Sequence, residues 1–215
     1  MDFSENHSIL GSVERYVVIT DVIILKGMSC IMSLARPDKQ CTYSDYVNWD
    51  DDIRCELIAG IPHMMSSPSE AHQAISFELT RQLGNFLMGK PCKAFAAPFD
   101  VRLNANDADD TVVQPDILVV CDMSKLDGKA CAGAPDLVIE ILSPSSARLD
   151  KVIKYRLYQN AGVREYWIVD VETKTVQVCV LKNGEYFMKA YTDIDSAPVD
   201  VLEGCIIGLS DVFAE

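Results

Sequence analysis

The sequence predicts a mixed α/β domain, and three observations predict it. Residues 112–120 and 137–142 are short apolar runs rich in valine, isoleucine and leucine, bounded by prolines and small residues, as buried strands are. Residues 70–88 and 147–160 carry apolar side chains at helical spacing. The second of these helices lies between two strands, an order that implies a parallel pair and therefore a mixed sheet.

Residues 1–40 carry a weak pattern that resolves into no element. They are expected to form an N-terminal extension, with Met28 and Met32 as candidate alternative starts, and the domain is expected over 41–215. Thr42 opens a helix as its cap, with Asp45 three residues on. Residues 55–65 read as a tight hairpin turning at Ala59-Gly60, and 66–69 break it. The helix over 70–88 places Ala71, Ile75, Leu79, Leu83, Phe86 and Leu87 on its core face, and Gly89-Lys90-Pro91 ends it. Three strand-like segments follow, 93–103, 112–121 and 136–142. An exposed hairpin loop at 104–110 and a loop at 125–134 separate them. Ser143-Pro144-Ser145-Ser146 ends the third strand and caps the helix over 147–160, which Gly162 stops. On that helix Leu149, Val152, Ile153 and Leu157 are expected to face the core, with Lys151, Lys154, Tyr155 and Tyr158 mostly on the other side. Residues 165–171 read as a buried strand, 175–181 and 185–191 as a hairpin around Asn183-Gly184, and 196–215 as short strand and turn. The order is helix, three strands, helix, strand, with hairpins added at each end.

A length of 215 residues suits one domain. The formal charge of −13 disfavours non-specific nucleic-acid binding through bulk charge, but leaves room for a site whose positive charge comes from metal ions. The eight cysteines include no Cys-x-x-Cys pair, so buried free thiols in a reducing compartment are expected rather than a zinc site or a disulfide framework. No run approaches the ~18–20 apolar residues of a membrane span, and no basic signal segment precedes the apolar stretch at 17–25. The expected location is the cytoplasm.

Asp116 follows Pro115 in one apolar strand, and Glu140 sits inside the next. A carboxylate in such a setting is costly to bury unless a cation or hydrogen bonds compensate. Two on neighbouring strands would repel unless something positive lay between them, and hard carboxylate oxygens suit Mg²⁺ or Mn²⁺. Glu56 lies on the first hairpin, and Lys151 and Lys154 lie on the helix that follows Glu140. These are the parts for metal-dependent hydrolysis of phosphodiesters. The acids hold the cation, a bound water becomes more acidic, and a lysine places or deprotonates that water and screens developing charge. The same residue types also have structural readings: an aspartate after proline in a turn, a glutamate on a strand edge, lysines on a solvated helix face.

Taken together, Glu56-Leu57-Ile58-x-Gly60, Met65-x-x-Pro68-Ser69-x-x-His72, Pro115-Asp116, the run from Gly133 to Ser145, and Asp150-x-x-x-Lys154-x-x-x-Tyr158-x-x-x-Gly162-Val163-x-Glu165-Tyr166-Trp167-x-Val169-Asp170 resemble the Uma-type family of restriction-endonuclease-like proteins. That family is placed in the PD-(D/E)XK nuclease superfamily. The match runs in unbroken order over about 42–209. It implies a restriction-endonuclease-like core, a mixed sheet flanked by helices with metal at the strand ends. It implies Asp116, Glu140 and Ile141 as ligands of Mg²⁺ or Mn²⁺, and Glu56 as the additional acid. The superfamily's lysine usually lies two positions after the strand acid, which here is Leu142, so Lys154, then Lys151, are the candidates to replace it. His72 matches a family position and is a candidate to contact phosphate or orient water, or to cap or pack its helix. Ser143 and Ser145 are weaker candidates for phosphate contact, with helix capping as the alternative. Tyr158 and Trp167 are expected to pack. Lys125, Lys129, Arg148 and Lys151 form either a local basic rim or a solvated surface. The implied activity is a metal-dependent endonuclease acting on nucleic acid, DNA before RNA, with a homodimer as a further expectation. The alternative is a nuclease-like fold that no longer cuts and serves as a nucleic-acid or protein interaction module. A third reading is a homo-oligomeric scaffold using the terminal hairpins.

Overall fold

A computed structural model describes residues 40–49 and 54–214. The expected extension, residues 1–40, lies outside the described residues but for its last position, and so do the candidate starts Met28 and Met32. Helix α1, Tyr43–Tyr46, starts at Thr42, whose backbone N–H donates to the Asp45 carboxylate at 3.0 Å. Strands β1, Cys55–Ile58, and β2, Ile61–Met64, form the expected hairpin. Its turn residues Ala59 and Gly60 both have positive φ, 49° and 75°, as a two-residue hairpin turn requires. Helix α2, Glu70–Leu87, is capped by Ser69, whose hydroxyl accepts from the His72 backbone N–H. It buries His72, Ile75, Leu79, Leu83 and Leu87. Ala71 is exposed, and His72 takes the place expected for it.

Two of the expected strands are each divided between two sheets. The segment 93–103 forms β3, Lys93–Ala96, and β4, Asp100–Arg102. The segment 112–121 forms β5, Val112–Val113, and β6, Ile117–Val120. The prolines explain both divisions: Pro98 and Pro115 each lack the N–H needed to continue a ladder, so the chain leaves one sheet and enters the other. The segment 125–134 is not wholly loop either. It contains β7, Ala130–Ala132, parallel to β4. The remaining strands are β8, Leu137–Ile141, β9, Glu165–Asp170, β10, Thr175–Lys182, β11, Glu185–Thr192, β12, Ser196–Pro198, and β13, Ile206–Gly208. The small sheet has the order β2-β1-β5-β4-β7 and the large one β11-β10-β9-β8-β6-β3, with β12 and β13 forming a separate pair. β8 and β9 are parallel, as the strand–helix–strand order predicts, and β6 and β8 are antiparallel.

Alternation on the large sheet separates two cores. Ile117, Val119, Leu137, Ile139 and Ile141 face α2 and the C-terminal tail. The tail's helix α4, Leu209–Val212, is held to α2 through Gln82, whose amide both donates to and accepts from Gly208. Leu118, Val120, Val138 and Leu142 face the other side, against Tyr158 and Tyr166. There the crossover helix begins with a wide π turn, Leu149–Lys154, and continues as α3, Tyr155–Ala161.

The face of this helix corrects the expectation. Val152 and Ile153 are exposed, at 54% and 41%, whereas Asp150, Lys154 and Tyr158 are buried. Residues at i, i+4 and i+8 share a helix face, and here that polar stripe finds partners inside the protein while the apolar pair does not. The cysteine expectation is corrected as well. Cys55, Cys131, Cys179 and Cys205 are buried free thiols, but Cys92 and Cys121 form a disulfide and Cys41 is also disulfide-bonded. Lys93 pairs with Val120 across the antiparallel β3–β6 ladder, so the next residues outward, Cys92 and Cys121, stand opposite each other. No local spacing announces that pairing.

Candidate active site

The stretch Gln114-Pro115-Asp116 carries the chain from β5 in the small sheet to β6 in the large one, and the site lies at that passage. The Gln114 backbone N–H donates to Glu56 Oε1 at 2.9 Å. The Gln114 side chain donates to Tyr46 Oη and Asp100 Oδ1, which ties α1 and β4 to the same junction. Asp116 Oδ2 accepts the Ile141 backbone N–H at 2.7 Å and faces His72 Nε2 at 3.2 Å. The β6–β8 register pairs Ile117 with Ile139, so Asp116, one step outward, stands opposite Glu140 along the chain, and both residues line the same cleft.

Glu140 occupies the sheet position between Val138 and Leu142, facing the crossover helix. Its Oε1 accepts from Lys154 Nζ at 2.9 Å and from Tyr158 Oη at 2.7 Å. Lys154 Nζ also donates to Glu56 Oε1 at 2.8 Å and lies 3.4 Å from Asp150 Oδ1, too far for a good hydrogen bond. The ammonium therefore sits among three carboxylates, and Asp116 adds a fourth acid nearby. Burial pushes the Glu140 carboxyl well above its ordinary range; Lys154 pulls it back, while Asp150, Asp116 and Glu56 push it further up. Burial alone would depress Lys154, but the charges of Glu140, Glu56 and Asp150 outweigh it and hold the proton on the amine. Burial likewise lowers His72, and the hydrogen bond and charge of Asp116 more than restore it.

These groups line a cleft of about 560 Å³. Among the described residues, three buried side-chain atoms have no hydrogen-bond partner: His72 Nδ1, Thr80 Oγ1 and Asp150 Oδ1. All three residues line this cleft. Its wall thus carries unmet hydrogen-bonding capacity, which native interiors rarely leave without water, an ion or a ligand to meet it.

Of the residues singled out from sequence, Glu56, Asp116, Glu140, Lys154 and His72 come together. Ser143 lines the mouth of the cleft, where its hydroxyl joins Ser145 and Ser146. Lys151 is not brought in: it is partly exposed and paired with Asp170 at 3.1 Å. Leu142 packs beside Tyr158, so no amine reaches Glu140 from its own strand; the helix supplies one. Sequence reasoning misses Asp150 and treats Tyr158 as packing alone. The signal that finds both is the spacing of Asp150, Lys154 and Tyr158, three polar residues on one helix stripe.

Among the described residues, no three His, Cys, Asp or Glu side chains form a ready metal cluster. A cation here would rest on two carboxylates, Asp116 and Glu140, with Ile141 able to offer only its backbone carbonyl. Each acid commits one oxygen to the framework and leaves the other without a hydrogen-bond partner among the described residues. Donor type and free oxygens fit a hard divalent ion that keeps several of its waters.

Comparison with known proteins agrees with this architecture. The chain is 29% identical to the uncharacterized protein slr1290 of Synechocystis sp. (strain ATCC 27184 / PCC 6803 / Kazusa) over 140 residues, 64% of this chain and 72% of that protein. It is 24% identical to the uncharacterized protein sll1609 of the same organism over 144 residues, 65% of this chain and 80% of that protein. A crystal structure from Anabaena variabilis ATCC 29413, described as "a putative nuclease belonging to DUF820", superposes with a TM-score of 0.66 at 20% identity, covering 81% of this chain and 98% of that one. That likeness shows a shared, nuclease-like fold. The model of the Uma2 family, described as "Putative restriction endonuclease", matches residues 43–210. The chain belongs to the Uma2 family.

Proposed function

We propose that the protein is a metal-dependent endonuclease that hydrolyses phosphodiester bonds of nucleic acid at the Asp116–Glu140 cleft. The observation that carries this reading is that Asp116, just before β6, and Glu140, in β8, line one cleft, each with an oxygen that no described residue hydrogen-bonds. Asp116, Glu140 and the Ile141 carbonyl would hold Mg²⁺ or Mn²⁺, which supplies charge neutralisation at the phosphate and a more acidic water. Ile141 N–H and His72 fix the orientation of Asp116. Tyr158 and Lys154 fix that of Glu140.

Lys154 takes one of the two roles open to it from sequence. Held protonated by its acidic neighbours, it cannot remove a proton from water. It acts as a fixed positive charge that screens the negative charge growing on the phosphate. Glu56 acts through it, holding the ammonium and joining the small sheet to the site.

The test is cleavage of single- and double-stranded DNA and RNA with Mg²⁺ or Mn²⁺ present. Asp116→Ala should abolish cleavage, with circular dichroism to check that the fold survives the loss of the acceptor for Ile141 N–H. A variant that cuts as well as the parent refutes the reading. The engagement of Lys154 with three acids favours one alternative, a closed structural network in a fold that binds without cutting. Calorimetry separates the two, since the alternative requires no heat of binding at millimolar Mn²⁺.

A further inference from the structure

The cleft extends beyond the acids. Gln73, Ser76, Phe77 and Thr80 line it from α2, and Ala97 and Pro98 line it from the turn between β3 and β4. The Ala97 N–H donates to the Asp116 carbonyl at 3.0 Å, so this second wall begins directly beside the acid cluster. From Gln73 to Thr80 the helix wall runs about 10 Å.

Its chemistry differs from that of the floor. Phe77 is an aromatic ring left 72% exposed on a helix whose isoleucine and leucines are all buried. Beside it stand an amide, two hydroxyls and small apolar groups. The Thr80 hydroxyl is buried without a partner. The basic side chains lining the cleft are Arg54, His63, His72 and Lys154, and the last two are engaged by Asp116 and by Glu56 and Glu140. A wall of this kind is poor at gripping a phosphate backbone and well suited to a flat, neutral group with hydrogen-bonding edges.

We infer that the α2 wall is a nucleobase subsite, with Phe77 as the stacking platform and Gln73, Ser76 and Thr80 as partners for the base edge. The substrate is then a single strand, or a strand with an unpaired base, whose bases lie against α2 while the neighbouring phosphate reaches the acids. In a paired helix the base faces are already stacked and the edges hidden, and with a formal charge of −13 the protein offers little to hold a duplex by its phosphates. This inference rests on the nuclease reading for the placement of the phosphate, but the base contact itself does not require cleavage.

The test is fluorescence anisotropy without metal, using the full chain and three probes: a labelled single-stranded oligonucleotide, its duplex, and the same strand with abasic sites. The single strand should bind more tightly than the other two. Phe77→Ala should weaken its binding by about 5- to 150-fold, and Phe77→Trp should retain it. Because Phe77 is exposed, both variants fold, and circular dichroism checks this. Equal or tighter binding of duplex, indifference to abasic sites or to Phe77→Ala, or no binding of any probe overturns the inference. So does light scattering that shows a dimer converted to monomer by Phe77→Ala, which would give this face to a second copy of the chain. The two readings fail separately. Asp116-dependent cleavage with a preference for duplex refutes the subsite alone. Phe77-dependent strand binding without any cleavage refutes the nuclease alone.

Discussion

Replacing Lys154 by methionine keeps most of the side chain's volume and removes its charge. Nζ contacts Glu56 at 2.8 Å and Glu140 at 2.9 Å and lies 3.4 Å from Asp150, and all four side chains are no more than 6% exposed. Breaking a buried pair by removing one partner costs about 3–5 kcal/mol, because the other charge is stranded. With a urea dependence of roughly 2 kcal/mol per molar, the unfolding midpoint at pH 8 should fall by about 1.5–2.5 M. The loss should depend on pH. Lys154 has a raised folded pKa, so its contribution is present in full at every pH below the ordinary lysine range. In the variant the Glu140 and Asp150 carboxyls, already raised by burial, lose the ammonium that pulls them back, and a raised acid stabilises at low pH and loses that contribution as pH rises. The deficit should therefore be clearly smaller at pH 5 than at pH 8. Urea titrations followed by tryptophan fluorescence at both pH values decide the matter. Equal deficits, or no deficit at pH 8, would refute the claim that this ammonium holds the acids together.

Two further outcomes concern stability. Glu165 is fully buried in β9, accepts from Trp167 Nε1 and the Val201 N–H, and is pushed by burial from 4.5 up to about 7. Its contribution is present in full below pH 4.5 and lost as pH rises through 7, a fall of about 3 kcal/mol. Glu165→Gln should flatten the stability profile between pH 5 and 8 by about that amount, whatever its constant offset; an unchanged slope would contradict the assignment. Ser69→Ala removes the hydroxyl that accepts from His72 N–H at the start of α2 and should cost about 1 kcal/mol, read from the thermal midpoint.

Much of the fold is legible because its signals are local. Ala59-Gly60 and Asn183-Gly184 specify their turns through backbone conformation alone, and α2 announces itself through an apolar stripe that one helix can carry unaided. Asp116 and Glu140 are legible because an acid in an apolar run is costly wherever the run ends up. What escapes the sequence depends on partners far along the chain. Leu149, Val152, Ile153 and Leu157 look like a core face because apolar periodicity is the usual guide; Leu149 and Leu157 do pack against the core, but Val152 and Ile153 face out, and the buried stripe is Asp150, Lys154 and Tyr158, whose burial makes sense only once Glu56 and Glu140 are opposite. The Cys92–Cys121 bridge follows from the β3–β6 register and from nothing in the spacing of the cysteines. The division of 93–103 and 112–121 between two sheets is hinted at by Pro98 and Pro115, yet which sheet receives each half is a tertiary outcome.

The ion pair between Glu56 and Lys154 joins residues 98 positions apart, one on the first hairpin and one on the crossover helix. The pocket therefore cannot be assembled piecemeal. A chain still lacking the crossover helix would hold Glu56 without the ammonium that pairs with it, and a cut between the two segments would part the pair. The acid–ammonium cluster therefore exists only once both segments are folded against each other.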